Sequence, residues 1–177
     1  MRSKSAFFAA ALSLGLAIAV QAQVPPEPVK DQLPLLKSAD PKLAANKKLV
    51  FDMYREVVNA GRTANSKKYF TETYIQHNPN VKSGRQALVD YIKQTRPERP
   101  IPPQISFPVI AITAEGDYVT VATVSYEDDR EKPGEKFVTT HFDMYRLENG
   151  LIAEHWDNVG RSSASKTKDP NVTNRPK

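Results

Sequence analysis

Two strand-like runs joined by a short turn make up residues 136–159, which read KFVTTHFDMYRLENGLIAEHWDNV. Apolar and aromatic residues recur through both runs, as they do in strands that place one face on a core. Asn149-Gly150, between the runs, is typical of a two-residue type I′ turn. The stretch therefore predicts an antiparallel hairpin of two strands, Lys136–Leu147 and Leu151–Val159.

Two more strand-like runs precede this hairpin. A run rich in Ile, Val and Phe covers Gln104–Thr113, with Pro108 indicating an edge or a bulge. Another run, Tyr118–Tyr126, follows after Glu115-Gly116-Asp117. Short glycine-containing links join neighbouring antiparallel strands, so the four runs together predict an antiparallel meander.

The first long helix is predicted ahead of these strands. Asp40-Pro41 supplies an N-cap and a proline at the first helical position. Apolar residues then recur at helical spacing through Val58, and Ala60-Gly61 ends the pattern. A shorter helix is expected over Asn65–Phe70.

A third helix is expected over Gly84–Gln94, capped by Ser83, after an extended or irregular passage, Glu72–Pro79. Helices followed by strands indicate an α+β domain with about three N-terminal helices on one face of a sheet of about four main strands. Such a curved, covered sheet leaves a cavity between its layers, where small molecules bind.

The two ends of the chain differ from the domain in composition. Met1–Ala22 joins a basic start to an uncharged run and small residues, which indicates a secretory signal cleaved before Gln23. An uncleaved anchor is the alternative, although the run is short for a membrane span. We expect a periplasmic or secreted bacterial protein with a Pro-rich arm at 23–40, a domain at 41–160 and a flexible basic tail at 161–177.

Composition excludes several classes of function. The absence of cysteine excludes a disulfide framework, a thiolate metal site and a cysteine nucleophile. A net charge of +5 without a basic, aromatic-rich stripe gives no reason to expect nucleic-acid binding. No second long apolar segment follows, so we expect no membrane contact after signal cleavage. The three histidines lack the H-x-H and H-x-x-x-H spacings, so no metal is expected.

Residues able to do chemistry gather in the segments Tyr74–Pro79 and His141–Asp157, which hold every histidine and the only tryptophan. Because strand side chains alternate, His141, Asp143 and Tyr145 project from one face whatever the turn. This conclusion selects Asp143 and His141 as the central pair of a candidate site.

The register of the hairpin leaves two arrangements open. A two-residue turn places Asp143 opposite Trp156, and it puts His155 and Asp157 on the other face. A three-residue turn with a glycine bulge places Asp143 opposite His155 and His141 opposite Asp157. We favour the first arrangement, because it groups Trp156 with the apolar inner residues.

Asp143 is the candidate general acid/base. An aspartate on an apolar, aromatic-lined face loses solvation, and this raises its pKa toward neutrality. Proton abstraction next to a carbonyl also needs a donor for the enolate oxygen, and no metal or cofactor is required. Four residues could be that donor: His141, His77, Asn78 and Tyr145.

Purely structural roles are the alternative at each position. The His-x-Asp pair could be a stabilising hydrogen bond, and Trp156 could belong to the core. Gln76–Pro79 could be only a turn. Arg146 is expected to pair with Glu154, with Asp157 or with a helix C-terminus.

Two motifs in this chain resemble those of SnoaL-like proteins in the nuclear-transport-factor-2-like superfamily. They are Tyr74-Ile75-Gln76-His77-Asn78-Pro79, followed by Gly84–Leu88, and the segment His141–Asp157. More narrowly, they resemble the group of predicted aldol-condensation-catalysing enzymes. The resemblance covers about Lys42–Val159 and implies a cone-shaped barrel, a curved antiparallel sheet closed by the N-terminal helices. It also implies cofactor-free aldol chemistry by a pocket aspartate, at Asp143, and a possible homodimer.

Together these observations predict a secreted cyclase, isomerase or lyase that needs no cofactor and acts on a small apolar or aromatic carbonyl compound. Its catalytic residues would be Asp143, His141 and His77. The substrate would contact Tyr74, Asn78, Tyr91, Tyr145 and Trp156. The alternative is a module of the same fold without catalysis, which binds a small molecule or a second copy of the chain.

Overall fold

A computed structural model describes residues 24–160 of the chain. The predicted signal, residues 1–22, and the predicted tail, residues 161–177, lie outside the described residues. Signal cleavage and the flexibility of the tail therefore stay predictions. Within residues 24–160, no helix combines the length and the hydropathy needed to cross a bilayer.

Two α-helices and several shorter helical segments precede most of the sheet. Helix α1 covers Pro41–Met53 and continues as a π-helical segment, Tyr54–Asn59, and helix α2 covers Arg85–Thr95. Two 3₁₀ segments, Leu33–Leu36 and Thr63–Lys68, flank α1 and its continuation. The helix expected over Asn65–Phe70 is thus a 3₁₀ segment that starts and ends two residues earlier.

The predicted helix caps have different outcomes. Asp40 caps α1 as predicted, since its carboxylate accepts a hydrogen bond from the backbone N–H of Lys42 at 2.7 Å. The Ser83 cap is wrong, because Gly84 occupies the N-cap of α2. The Ser83 hydroxyl instead accepts from the backbone N–H of Gln76 at 3.0 Å. Ser83 therefore fixes the loop that follows the first strand.

Five strands form one mixed sheet, in the order β1-β5-β4-β3-β2. They are β1 Phe70–Gln76, β2 Val109–Glu115, β3 Tyr118–Asp128, β4 Lys136–Glu148 and β5 Leu151–Asp157. Strands β2 to β5 form the predicted antiparallel meander. The α+β class is confirmed, but β1 adds a fifth strand, parallel to β5, where the sequence predicts a short extended or irregular passage and no strand of the sheet.

The hydrophobic core lies between the helices and the inner face of the sheet. Buried side chains of α1, including Val50 and Phe51, pack with those of the strands, including Val121, Leu147 and Ile152. The N-terminal arm also packs on the domain. Its Gln32 side chain exchanges two hydrogen bonds of 2.9 Å with the backbone of Ile105, and Val29 donates to the Val109 carbonyl at 2.8 Å.

The β4–β5 hairpin begins as predicted and then departs from both expected registers. Asn149 and Gly150 have φ of 51° and 73°, and Glu148 lies opposite Leu151, as a two-residue turn requires. Ala153 then forms a bulge, so Arg146 lies opposite Glu154. Beyond the bulge, Asp143 lies opposite Asp157 and not opposite Trp156 or His155. The extra residue reverses which β5 side chains face inward.

Candidate active site

A cavity of about 450 Å³ lies between the inner face of the sheet and the helices. Apolar and aromatic side chains, among them Met53, Leu88 and Phe107, form most of its wall. Its polar groups come mainly from β1, β4, β5 and the start of the π-helical segment: Tyr54, Tyr74, Gln76, His141, Asp143, His155 and Asp157. An apolar cavity with a few convergent polar groups is the arrangement found in small-molecule sites.

Asp143 is the centre of the polar network. Its Oδ2 accepts a hydrogen bond from the Tyr54 hydroxyl at 2.6 Å, and its Oδ1 accepts one from His155 Nε2 at 2.8 Å. His141 Nε2 lies 3.4 Å from the same Oδ1. Tyr145 extends the network by donating to the Tyr54 hydroxyl at 2.8 Å. Four groups from three segments of the chain therefore position this one carboxylate.

The charge state of Asp143 follows from these contacts. Burial by itself raises the pKa of the carboxyl group, but the contacts from His141, His155 and Tyr54 outweigh burial. The pKa of Asp143 consequently lies well below its ordinary value of 3.8. The expectation of a raised pKa is wrong, because it counted the lost solvation and not the donors that replace water. Asp143 is an ionised carboxylate at neutral pH.

The pKa of His141 is shifted in the opposite direction. Its contact with Asp143 raises its pKa above the ordinary value of 6.5, by more than partial burial lowers it. Its Nε2 faces Asp143, and within residues 24–160 its Nδ1 makes no hydrogen bond. His141 therefore combines an imidazole held by a carboxylate with a second nitrogen available in the cavity.

The buried tyrosines stay protonated and act as hydrogen-bond donors. Burial raises the pKa of Tyr54 and Tyr145 well above 10.0, and burial with the nearby Asp143 does the same for Tyr74. The Tyr74 hydroxyl accepts from Gln76 Nε2 at 3.1 Å. In the described part of the chain, its own proton has no acceptor, so it can donate to a ligand in the cavity.

The structure brings most of the predicted site residues to the cavity. Asp143 and His141 lie on the inner face as alternation predicted, together with Tyr145. Three further residues of the prediction also line the cavity: Tyr74, Asn78 and Tyr91. Asn78 reaches it by donating from its side-chain amide to Asp157 Oδ2.

His77 and Trp156 lie on the outer face of the sheet, away from the cavity. Their rings stack with centroids 4.5 Å apart, and His77 Nε2 lies 2.9 Å from Glu154 Oε2. Arg146 donates to the other Glu154 oxygen at 2.7 Å, which is the structural pairing expected for Arg146. The bulge at Ala153 puts Trp156 outside, and His77 follows Gln76, which faces inward. We therefore exclude His77 and Trp156 from the site.

Sequence reasoning missed several residues of the network. The favoured register places His155 and Asp157 on the outer face because it contains no bulge in β5, whereas His155 is buried beside Asp143. Tyr54 lies in the first predicted helix, and no local pattern marks it as a partner of Asp143. Gln76 belongs to the Tyr74–Pro79 segment, for which a simple turn is the structural alternative, but it lies opposite His155 in the β1–β5 pair. Alternation along β1 would have grouped Gln76 with Tyr74.

Three residues of the cavity could together hold a metal ion. Ligand atoms of His141, Asp143 and Asp157 all lie within 4.8 Å of one another. Both carboxylates already accept hydrogen bonds, Asp143 from Tyr54 and His155, and Asp157 from Asn78. A bound cation would have to replace some of these donors, so we assign no step of the chemistry to a metal.

The family model described as SnoaL-like domain matches residues 50–155. TsrD from Streptomyces laurentii shares 20% identity over 68% of this chain and 90% of its own, with a TM-score of 0.44. A protein of Jannaschia sp. CCS1, described as a SnoaL-like polyketide cyclase, shares 17% identity over 69% and 91%, with a TM-score of 0.48. No curated protein matches the chain.

Proposed function

The chain belongs to the SnoaL-like domain family, and from this premise we propose that it is an enzyme of the cyclase, isomerase or lyase type. Its substrate would be a small apolar or aromatic carbonyl compound. The observation that carries the proposal is the His141–Asp143 pair at the polar end of an otherwise apolar cavity of about 450 Å³. Such a pair moves protons, and such a cavity binds the carbon skeleton.

In the proposed reaction His141 is the proton-transfer residue. Its neutral imidazole removes a proton from the carbon next to the carbonyl, and the imidazolium returns a proton later in the cycle. Asp143 holds the ring and stabilises the cation, because it stays ionised beneath it. These are the two residues expected from the sequence, but their roles are exchanged. A carboxylate that already accepts from three donors is a weak base, so the proton transfer falls to His141.

Tyr74 is the proposed donor to the enolate oxygen. Its hydroxyl is buried at the cavity, and its proton is not used by any described residue. A donor placed where negative charge develops lowers the barrier without a metal or cofactor. The apolar wall then favours substrates whose remaining surface is hydrocarbon or aromatic.

The test is exchange of α-protons for deuterium, since this reports proton abstraction without knowledge of the natural product. 2-Tetralone and acetophenone, two small ketones that each carry a benzene ring, are incubated with the protein in D₂O and followed by ¹H NMR. We expect exchange faster than in buffer, with equal rates with and without EDTA. Asp143→Asn and His141→Gln should each lower the rate by about 10²- to 10⁴-fold.

Glu154→Gln is the matched control, because Glu154 contacts a histidine on the outer face and not in the cavity. It should exchange at the wild-type rate. Full activity in Asp143→Asn, or no exchange of either ketone by the wild type, would contradict the proposal. Saturable binding of a ketone without exchange would support the non-catalytic binding module instead.

We also propose that the mature protein acts outside the bacterial cytoplasm. The support is the secretory pattern of Met1–Ala22. Expression of the full chain in a bacterium, followed by N-terminal sequencing of the periplasmic fraction, should give a chain that begins at Gln23. A chain that keeps residues 1–22 in the membrane fraction would indicate an uncleaved anchor.

A further inference from the structure

Both ring nitrogens of His155 face oxygen atoms that accept hydrogen bonds. Nε2 lies 2.8 Å from Asp143 Oδ1, and Nδ1 lies 2.9 Å from Gln76 Oε1. A neutral imidazole has one N–H and can donate to only one of these oxygens. The imidazolium form alone donates to both.

The orientation of the Gln76 amide does not depend on His155. Gln76 Oε1 accepts from the backbone N–H of Asn78 at 3.0 Å, and Nε2 donates to the Tyr74 hydroxyl at 3.1 Å. A flipped amide would point its NH₂ group at the Asn78 N–H, donor against donor. Since a backbone N–H is always a donor, Gln76 presents oxygen to His155.

We propose that His155 is a positioning residue with a fixed positive charge, clamped between Gln76 and Asp143. Its charge keeps Asp143 ionised, so that His141 alone exchanges protons with the substrate. This inference rests on the proposed function of the same cavity. It assigns the two histidines beside Asp143 different tasks, one as a constant charge and one as the titrating group.

The surroundings of His155 favour its charged form. The ring of Tyr145 stacks on it with centroids 4.6 Å apart, and an aromatic face attracts a cation. The titratable groups around it come from the π-helical segment, β1, β4 and β5: Tyr54, Tyr74, His141, Asp143, Tyr145 and Asp157. The tyrosines are neutral, so the carboxylates of Asp143 and Asp157 are the acidic groups that face the charge of His155.

Nitrogen NMR of the free protein tests the charge directly. The chain has three histidines, so His77→Gln, His141→Gln and His155→Gln assign the ring signals of ¹⁵N-histidine-labelled protein. At pH 7.5 we expect both nitrogens of His155 to show protonated shifts, while His141 titrates. A single protonated nitrogen on His155 would overturn the inference.

Two variants separate charge from packing. Gln at position 155 in His155→Gln can still donate to Asp143 but carries no charge, so His141 loses a nearby cation. The titration midpoint of His141, and the pH at which the rate of ketone exchange changes with it, should then rise by roughly one pH unit. Gln76→Glu keeps an acceptor at Nδ1 and should leave His155 doubly protonated. If His155 has only a structural role, the pH dependence of ketone exchange should be the same in His155→Gln and in the wild type.

The outcomes also separate this inference from the proposed function. Doubly protonated His155 in a wild type that exchanges neither ketone would contradict the proposed activity and keep the charge assignment. Singly protonated His155 in an active wild type would do the reverse. His77→Gln, on the outer face, should change neither His141 nor His155.

Discussion

The two faces of the sheet each carry a histidine paired with a carboxylate, at nearly equal distance. On the inner face His155 lies 2.8 Å from Asp143, and the side chains are 9% and 15% exposed. On the outer face His77 lies 2.9 Å from Glu154, and they are 39% and 18% exposed. The distances alone do not distinguish the pairs. Solvent does, because water screens and replaces the outer contact but not the inner one.

The number of partners differs as well. The outer carboxylate, Glu154, shares its charge with Arg146, whose guanidinium stays accessible to solvent. The inner carboxylate, Asp143, depends on two histidines and a tyrosine from a distant segment. Loss of one donor therefore leaves an uncompensated buried charge inside and a rehydrated one outside.

The largest difference is expected from removing the histidine of each pair. His155→Leu should lower the free energy of unfolding by about 2–4 kcal/mol, because Asp143 loses a charged donor in a buried site. His77→Leu should change it by less than about 0.5 kcal/mol. Urea unfolding of both variants measures the difference. Equal losses would mean that burial does not separate the two pairs.

A pair of tyrosine variants gives the next effect. Tyr54→Phe deletes a donor to the Asp143 carboxylate and should cost about 1.5–3 kcal/mol, the range for hydrogen bonds to charged groups. Tyr118→Phe deletes a hydroxyl from a side chain that is 43% exposed, and should cost close to nothing. Thermal unfolding is sufficient to compare them. A Tyr54→Phe protein as stable as the wild type would show that Asp143 does not need this donor.

Deletion of Ala153 tests how the two faces are assigned. The deletion removes the bulge but keeps Glu148 opposite Leu151, so a regular hairpin again places Arg146 opposite Glu154 and Tyr145 opposite His155. We expect a loss of about 1–2 kcal/mol with both faces unchanged. Cross-strand Hα and amide NOEs report the pairing. NOEs that pair Tyr145 with Glu154 would mean that the bulge does not set the register.

The pH dependence of stability above pH 6.5 should show the smallest effect. The lowered pKa of Asp143 stabilises the fold above 3.8, and this contribution is lost as pH falls through the folded-state pKa. The raised pKa of His141 stabilises the folded state below pH 6.5, and this contribution is lost as pH rises through the folded-state pKa of His141. Because solvent reaches His141, its contribution to the decline above pH 6.5 should be less than about 1 kcal/mol.

Two variants assign that decline to the inner face. His141→Gln should reduce the decline above pH 6.5 in urea unfolding. Glu154→Gln acts on an outer carboxylate whose pKa is lowered by His77 and Arg146, so it should alter only the acid side. A decline that persists in His141→Gln would have to come from another group.

The sequence by itself determined the α+β class, the antiparallel meander, the type of the Asn149-Gly150 turn and the shared face of His141, Asp143 and Tyr145. Each of these is local, since alternation along one strand and the chemistry of one turn do not depend on distant residues. The resemblance to SnoaL-like proteins likewise rests on short stretches of sequence, chiefly Tyr74–Pro79 and His141–Asp157.

Only the tertiary structure decided which groups meet Asp143 and what charge they carry. Tyr54 contacts Asp143 from a helical segment 89 residues away. Gln76 contacts His155 because β1 and β5 pair in parallel, and parallel neighbours are not joined by a hairpin turn that the sequence could reveal. One bulged residue, Ala153, exchanges the faces of His155 and Trp156. The pKa of a buried carboxylate is the sum of lost water and gained donors, and the donors are placed by packing across the whole domain.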